Sequence, residues 1–117
     1  ANPGSVRAAI ELLAACPGRR TLVLGAILEL GANSSALHRA VGEHALAAGI
    51  DALWGVGPEL EVCVDAFGAN GRHFEDRAAA VSALQGQFGP GDTVLIKGSR
   101  GMRMERVVEA LACEEAH

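Results

Sequence analysis

The sequence predicts an α/β fold, a three-layer Rossmann-like domain with a mostly parallel sheet and helices on both faces. Short apolar runs alternate with longer helical patterns, the order expected of parallel strands joined by crossover helices. Two of these runs, TLVLG at 21–25 and TVLIK at 93–97, are continuously apolar apart from their ends, which is typical of strands covered on both faces. Half of the 117 residues are hydrophobic and only 3% are aromatic, so we expect closely packed helices and one domain over 1–117.

The first half of the chain predicts two helices around one strand. Asn2 followed by proline suits a helix N-cap and first helical position, and one apolar face follows, made of Val6, Ile10, Leu13 and Ala14. After the strand at 21–25, Ser34 or Ser35 is expected to cap a second helix that ends at Gly49. The predicted inner face of that helix holds Leu37, Val41, Ala45 and Ala48.

The second half continues the alternation, with one ambiguous segment. Residues 58–67 fit both strand alternation and helical spacing, but their length, Pro58 at the start and Gly68 at the end favour a helix. The remaining predicted elements are strands at 52–57, 72–74 (short, at an edge of the sheet) and 93–97, and helices at 78–88 (with Val81, Leu84 and Phe88 inward) and 104–113.

Polar loops follow the first and the last predicted strands. The first is LGAILELGANSS at 24–35, and the second is KGSRG at 97–101. Ligands of parallel α/β sheets bind beyond the carboxyl ends of the strands. These two loops are therefore the predicted location of a functional site.

Positive charges gather where the last predicted helix begins, at Lys97, Arg100, Arg103 and Arg106. This arrangement opposes the helix dipole, at a cost of a few tenths of a kcal/mol for each exposed charge. Two interpretations stay open: a solvated cationic face, or a site in which glycine-rich amides, Lys97, Ser99 and Arg100 hold a phosphate or carboxylate. No GxxxxGK[ST] loop occurs in the chain, so ATP hydrolysis by this chain alone is not expected.

Five segments in combination resemble the C-terminal domain of the Mur ligases. The most specific motif is KGSRGMRME at 97–105, which favours the branch that adds a D-alanyl-D-alanine dipeptide over branches with other amino-acid substrates and over folate-polyglutamate ligases. The resembling segments are ANPGSVRAAIELL (1–13), VLGAILELG (23–31), LHRAVGEHA (37–45), RHFEDRAA (72–79) and VLIKGSRGMRMERVVEAL (94–111).

The resemblance implies a cytoplasmic, ATP-dependent ligase of peptidoglycan synthesis with three domains. This chain would be the last domain, cut from a longer polypeptide and inactive alone. ATP would phosphorylate the carboxylate of UDP-muramoyl-tripeptide, and the amine of D-alanyl-D-alanine would attack the acyl phosphate. The missing N-terminal domain would hold the UDP-sugar, and the missing central domain would bind ATP and Mg²⁺ through a P-loop and a carbamylated lysine.

The same resemblance assigns binding roles to residues of the charged loop and of the chain start. Lys97, Ser99 and Arg100 match the family's KGSR loop and are expected to face the ATP phosphates and the dipeptide. Arg103, one helical turn further, is a further candidate. Asn2 matches the second asparagine of the family's YNANP segment, which is expected beside the nucleotide or the interdomain linker.

The loop after the first strand is expected to border the same cleft. Glu29 and Asn33 are its candidate binding residues, and His38 on the following helix is another. Ala26 stands where the family usually has an acidic residue, which leaves Glu29 as the acid of this loop. The resemblance implies no catalytic residue in this fragment, since the P-loop and the carbamylated lysine belong to the central domain. No metal site is expected either, because the histidines lack ligand spacing.

Charge and composition exclude several other classes. The net charge of −4 disfavours nucleic acid as a partner, and no apolar run approaches the roughly 20 residues of a membrane span. Cys16, Cys63 and Cys113 show no CxxC spacing, so we expect buried thiols in a reducing compartment.

The alternative hypothesis is a freestanding small α/β module that binds an anion or regulates a partner. Receiver-like domains are an example, since they too have a lysine at the end of their last strand. They require aspartates at the end of the first strand, where Gly25 and Ala26 stand in this chain.

Overall fold

Strands and helices alternate along the described part of this computed structural model, which comprises residues 3–27, 33–84, 88 and 91–97. A short 3₁₀ turn, Pro58–Leu60, leads directly into the third helix. In chain order, the elements are α1 (Pro3–Ala14), β1 (Arg19–Leu24), α2 (Ser34–Ala47), β2 (Ala52–Val56), α3 (Glu61–Phe67), β3 (Gly71–Phe74), α4 (Arg77–Leu84) and β4 (Asp92–Lys97).

The strands form one parallel sheet in the order β3-β2-β1-β4. Thr21 of β1 lies opposite Ala52 of β2 on one side and Val94 of β4 on the other. All three neighbouring strand pairs are parallel. The parallel α/β fold predicted from the alternation of elements is therefore confirmed, with the short β3 at one edge of the described sheet.

Helices α1, α2 and α3 cover one face of the sheet. Leu22 and Leu24 of β1 and Leu53 of β2 point to this face, since side chains alternate along a strand. The glycines at 42 and 55 allow α3 to approach closely, because a Cβ at either position would collide with α3 or with the turn before it. The helical side of this core holds Val6, Ile10, Leu13, Val41, Ala45, Cys63, Val64 and Phe67.

Helix α4 covers the opposite face, where the core is built around Trp54. Trp54 is 4% exposed, and its ring lies 5.1 Å from that of Phe74 and 5.5 Å from that of Phe88. The guanidinium of Arg72 lies 4.9 Å from the centre of the Trp54 ring, a cation–π contact at the edge of this core. The predicted arrangement of helices on both faces is thus confirmed.

Most predicted elements are confirmed, including the helix favoured for 58–67 and the core position of Trp54. The predicted N-cap was wrong: Asn33 is the N-cap of α2, and its side chain makes no capping hydrogen bond. Ser34 is instead the first helical residue, and its carbonyl and hydroxyl oxygens contact the ring of His38. The inner face of α2 also includes His38, which is fully buried.

The helix predicted over 78–88 is confirmed from 78 to 84. Phe88 lies outside the helix, yet it still packs against Trp54 as an inward residue. Ala80 of α4 is buried, whereas Val81, predicted to point inward, is only half-buried. The predicted helix at 104–113 lies outside the described residues.

Among the helices of the described ranges, none has the length and apolar character needed to cross a membrane. Two of the three cysteines lie in the described part. Cys63 is buried in the helical core as predicted, whereas Cys16 is only half-buried.

Candidate functional site

The candidate site lies where β1 and β4 are neighbours in the sheet while the helices connected to them lie on opposite faces. From β1 the chain proceeds outward to β2 and β3, and then returns to place β4 on the other side of β1. Helix α2 therefore leaves β1 on one face, while α4 reaches β4 from the opposite face. Such a switch point opens a crevice at the carboxyl ends of the two strands, where parallel α/β folds bind their ligands.

A main-chain hydrogen bond joins the two polar loops at this crevice. Lys97, the last residue of β4, lies opposite Leu24, the last residue of β1. One residue further, the N–H of Gly25 donates to the carbonyl oxygen of Lys97 at 2.8 Å. The loops that the sequence predicts as functional therefore start side by side at the same end of the sheet.

Lys97 brings a positive charge to this end of the sheet. Its side chain is half-buried, and no carboxylate of the described ranges forms an ion pair with it. An ammonium group that lacks a carboxylate partner near partly buried main chain can attract a phosphate or a carboxylate.

The β1 loop presents main chain rather than polar side chains where it leaves the strand. Ala26 and Ile27 are 6% and 3% exposed, so both side chains belong to the core. The N–H of Ile27 donates to Nε2 of His38 at 3.1 Å. The other ring nitrogen, Nδ1, lies 2.8 Å from the carbonyl oxygen of Ser34. His38 thereby connects the first turn of α2 to the loop that leaves β1.

The remaining candidate residues divide into one described and five undescribed. Asn33 is exposed and lies immediately before α2, as the N-cap of that helix. The predicted binding roles of the others stay predictions, because these residues lie outside the described ranges: Asn2, Glu29, Ser99, Arg100 and Arg103.

The other described histidines are engaged elsewhere. His44 of α2 lies 3.1 Å from the carboxylate of Glu11 on α1, and His73 of β3 contacts the Gly57 carbonyl oxygen at 2.7 Å. Within the described ranges, no three His, Cys, Asp or Glu side chains are grouped as a metal would require.

Sequence reasoning overlooked the main-chain groups at the crevice. It singled out polar side chains, His38 among them, as ligand contacts, whereas the described contacts there join the Gly25 amide to the Lys97 carbonyl and the Ile27 amide to the ring of His38. One available signal was His38 itself, four residues after Ser34 in the first turn of a helix with an apolar inner face. A histidine at such a position requires main-chain partners if it is buried.

The parallel sheet with helices on both faces, and the switch point next to Lys97, are consistent with the family that the sequence matches. The family model of the Mur ligase glutamate ligase domain matches residues 1–100. The chain therefore belongs to the Mur ligase family. The resemblance noted from the sequence motifs is confirmed.

Two similar curated proteins share one name within this family. The chain is 46% identical over 113 residues to UDP-N-acetylmuramoyl-tripeptide–D-alanyl-D-alanine ligase of Escherichia coli, covering 95% of the chain and 25% of that protein. The ligase of the same name from Synechocystis is 38% identical over 114 residues, with 94% and 25% covered.

Similar solved structures carry the same fold. MurF ligase from Thermotoga maritima, in complex with ADP, matches with a TM-score of 0.77 and 31% identity, covering 93% of this chain and 25% of that one. MurF from Acinetobacter baumannii matches with a TM-score of 0.80 and 30% identity, with the same shares covered. The chain thus spans about a quarter of the length of the relatives it matches.

Proposed function

We propose that the chain is the C-terminal domain, residues 1–117, of a longer ligase that joins D-alanyl-D-alanine to UDP-N-acetylmuramoyl-tripeptide in peptidoglycan synthesis. The names of the E. coli and Synechocystis relatives support this activity, and the one-quarter coverage supports a missing larger part. Its place of work would be the cytoplasm, where it would contribute to the cell wall needed for cell shape and division.

The observation that carries a role for this domain is the hydrogen bond from Gly25 to Lys97, which holds the two loops together at the switch point. ATP, an acyl phosphate and the free carboxylate of the dipeptide are all anions. Catalysis of phosphoryl transfer depends mainly on positioning and on stabilisation of negative charge. Lys97 would act as a point charge toward these groups, with Ser99 and Arg100 of the same loop beside it.

The proposed reaction also requires ATP and Mg²⁺. The ATP requirement is supported by the ADP-bound Thermotoga ligase. Mg²⁺ does not fit the described residues, which contain no suitable group of ligands, so we derive no step through a metal here. The N-terminal and central domains would hold the UDP-sugar, the nucleotide and the metal.

The test compares three single-charge removals in the full-length ligase that contains this domain: Lys97→Ala, Arg100→Ala and a control. Lys97→Ala should raise the dipeptide or ATP KM, or lower kcat, by about tenfold or more, because the reacting anions lose a positioned charge. Arg19→Ala is the matched control: Arg19 is exposed at the opposite end of β1 and should leave both constants unchanged. Wild-type kinetics for Lys97→Ala and Arg100→Ala would show that the loop is structural.

A second experiment asks whether the domain acts alone. The purified 117-residue chain should neither hydrolyse ATP nor form the dipeptide product, because no Walker loop occurs in its sequence. Robust turnover by that chain would contradict its assignment as a dependent domain.

A further inference from the structure

We infer that His38 is a positioning residue of the proposed ligase site, which it serves by holding the main chain of the β1 loop through the N–H of Ile27. The effect on catalysis that we infer rests on the proposed ligase function. The sequence suggested that His38 contacts a ligand, whereas the role inferred here is indirect, because His38 would act through Ile27.

The ring of His38 has no nitrogen available for a ligand. Its side chain is 0% exposed, Nε2 lies 3.1 Å from the Ile27 amide nitrogen, and Nδ1 lies 2.8 Å from the Ser34 carbonyl oxygen. A direct contact with a substrate would require one of these buried hydrogen bonds to break. Leaving such a group unpaired costs about 1–3 kcal/mol.

The two partners determine which ring nitrogen carries the proton. The Ile27 amide is a donor, so Nε2 must accept and carries no proton; the Ser34 carbonyl is an acceptor, so Nδ1 must donate. The ring is therefore the neutral Nδ1–H tautomer. This tautomer gives the buried Ile27 amide a hydrogen-bond acceptor after β1 has ended.

The held segment lies directly at the crevice. Gly25 is bonded to the carbonyl of Lys97 on the β4 side, and Ile27 is bonded to His38 on the α2 side. Residues 25–27 are therefore anchored at both ends, to the strand that carries the cation and to the helix that begins at Ser34. A shift of Ile27 would be transmitted through two residues to the main chain beside Lys97.

Packing of α2 against the sheet does not itself require a histidine. Val41 and Ala45 are 3% and 0% exposed and already bury the helix in the core. An apolar side chain at position 38 would fill the same space without the cost of desolvating two nitrogens. The polar ring is best explained by the Ile27 amide that it satisfies.

Two conservative variants separate the two hydrogen bonds. The side-chain amide of glutamine reaches the position of Nε2, so His38→Gln retains an acceptor for Ile27. The shorter asparagine reaches only the position of Nδ1, so His38→Asn retains the donor to Ser34 and loses the Ile27 bond. His38→Met keeps the volume and loses both, which provides a third variant should His38→Asn fail to fold.

The experiment uses the full-length ligase, at a temperature where each variant is fully folded. We expect His38→Asn and His38→Met to raise the KM for the dipeptide or ATP by about tenfold, with His38→Gln within about threefold of wild type. Hydrogen–deuterium exchange of peptides covering residues 24–27 should rise in the first two variants and stay low in His38→Gln. A role confined to packing would not give this order, because methionine fills the core at least as well as glutamine.

Equal KM values and equal exchange for the glutamine, asparagine and methionine variants would overturn the inference. Failure of the proposed function is distinguishable, since it is decided by the wild-type enzyme. If the wild type forms no dipeptide product, the proposed reaction is wrong, and the exchange comparison alone decides whether His38 holds the loop.

Discussion

Arg20 and Asp51 are joined through both their main chains and their side chains. The N–H of Arg20 donates to Asp51 Oδ2 at 2.8 Å, Nε of Arg20 reaches the same oxygen at 3.2 Å, and the N–H of Asp51 donates to the Arg20 carbonyl at 3.0 Å. The rest of the guanidinium donates to the Ala14 carbonyl at 2.7 Å and to the Gly49 carbonyl at 2.6 Å. Arg20 therefore connects the C-terminal ends of α1 and α2 to the sheet, at the end opposite the candidate site.

Acid should weaken the fold through this pair. Hydrogen bonds from the Arg20 main chain, and then from its side chain, hold the pKa of Asp51 below its ordinary value of 3.8 against the opposing effect of burial. A lowered folded-state pKa contributes stability that is complete above 3.8 and is lost as the pH falls through the folded-state value. Asp51→Asn should flatten the fall in urea-unfolding free energy as the pH drops below 3.8, whereas Asp65→Asn, at an exposed site, should not. Equal acid sensitivity in Asp51→Asn and wild type would contradict this role.

A second prediction concerns the contact between α2 and α3. A Cβ on Gly42 would overlap the carbonyl oxygen of Cys63 and lie 3.2 Å from the Ala66 Cβ. Glycine-to-alanine changes inside a helix normally stabilise it by about 1 kcal/mol. We expect Gly42→Ala to lower the unfolding free energy instead, by about 2 kcal/mol, because overpacking must separate the two helices.

The control for Gly42→Ala is a pair of variants at an exposed position of the same helix. Arg39→Ala and Arg39→Gly differ only in helix propensity, so alanine should be the more stable of the two. The close contact would be supported if alanine is less stable than glycine at position 42 but more stable than glycine at position 39, as measured by the free energy of urea unfolding. A stabilising Gly42→Ala would show that the helices have room for the methyl group.

Local patterns predicted the elements and their order because each pattern has a local cause. Continuous apolar runs mark strands buried on both faces, and the central strands β1 and β2 are such strands. The parallel topology then places both polar loops at one end of the sheet, so the neighbourhood of Lys97 followed without knowledge of any side-chain contact.

Contacts between distant residues were not predictable in this way. Two partners of Arg20, Gly49 and Asp51, lie 29 and 31 residues further along the chain, and the Ile27 amide lies 11 residues before His38. Nothing in the local sequence distinguishes Arg20 from its neighbour Arg19, which is exposed. The predicted N-cap of α2, Ser34 or Ser35, lay one or two residues too late, because Asn33 precedes these serines directly and all three residues suit an N-cap.

The final prediction concerns Cys63, a thiol buried where α3 packs on the core. The side chain is 0% exposed, and desolvation raises its pKa from an ordinary value of 9.0 to about 12. Because the thiolate is the reactive form, the folded chain should protect this cysteine from thiol reagents at pH 8.

A Cys16→Ser/Cys113→Ser double variant leaves Cys63 as the only thiol, and its labelling rate should then follow the rate of opening of the fold. Adding Gly42→Ala to that variant should accelerate labelling, since the overlap with the Cys63 carbonyl loosens the same contact. Two results would contradict this prediction. Rapid labelling of Cys63 under native conditions would show that the thiol is accessible in the folded chain. An unchanged labelling rate in a destabilised Gly42→Ala variant would show that exposure of Cys63 does not require α2 and α3 to separate.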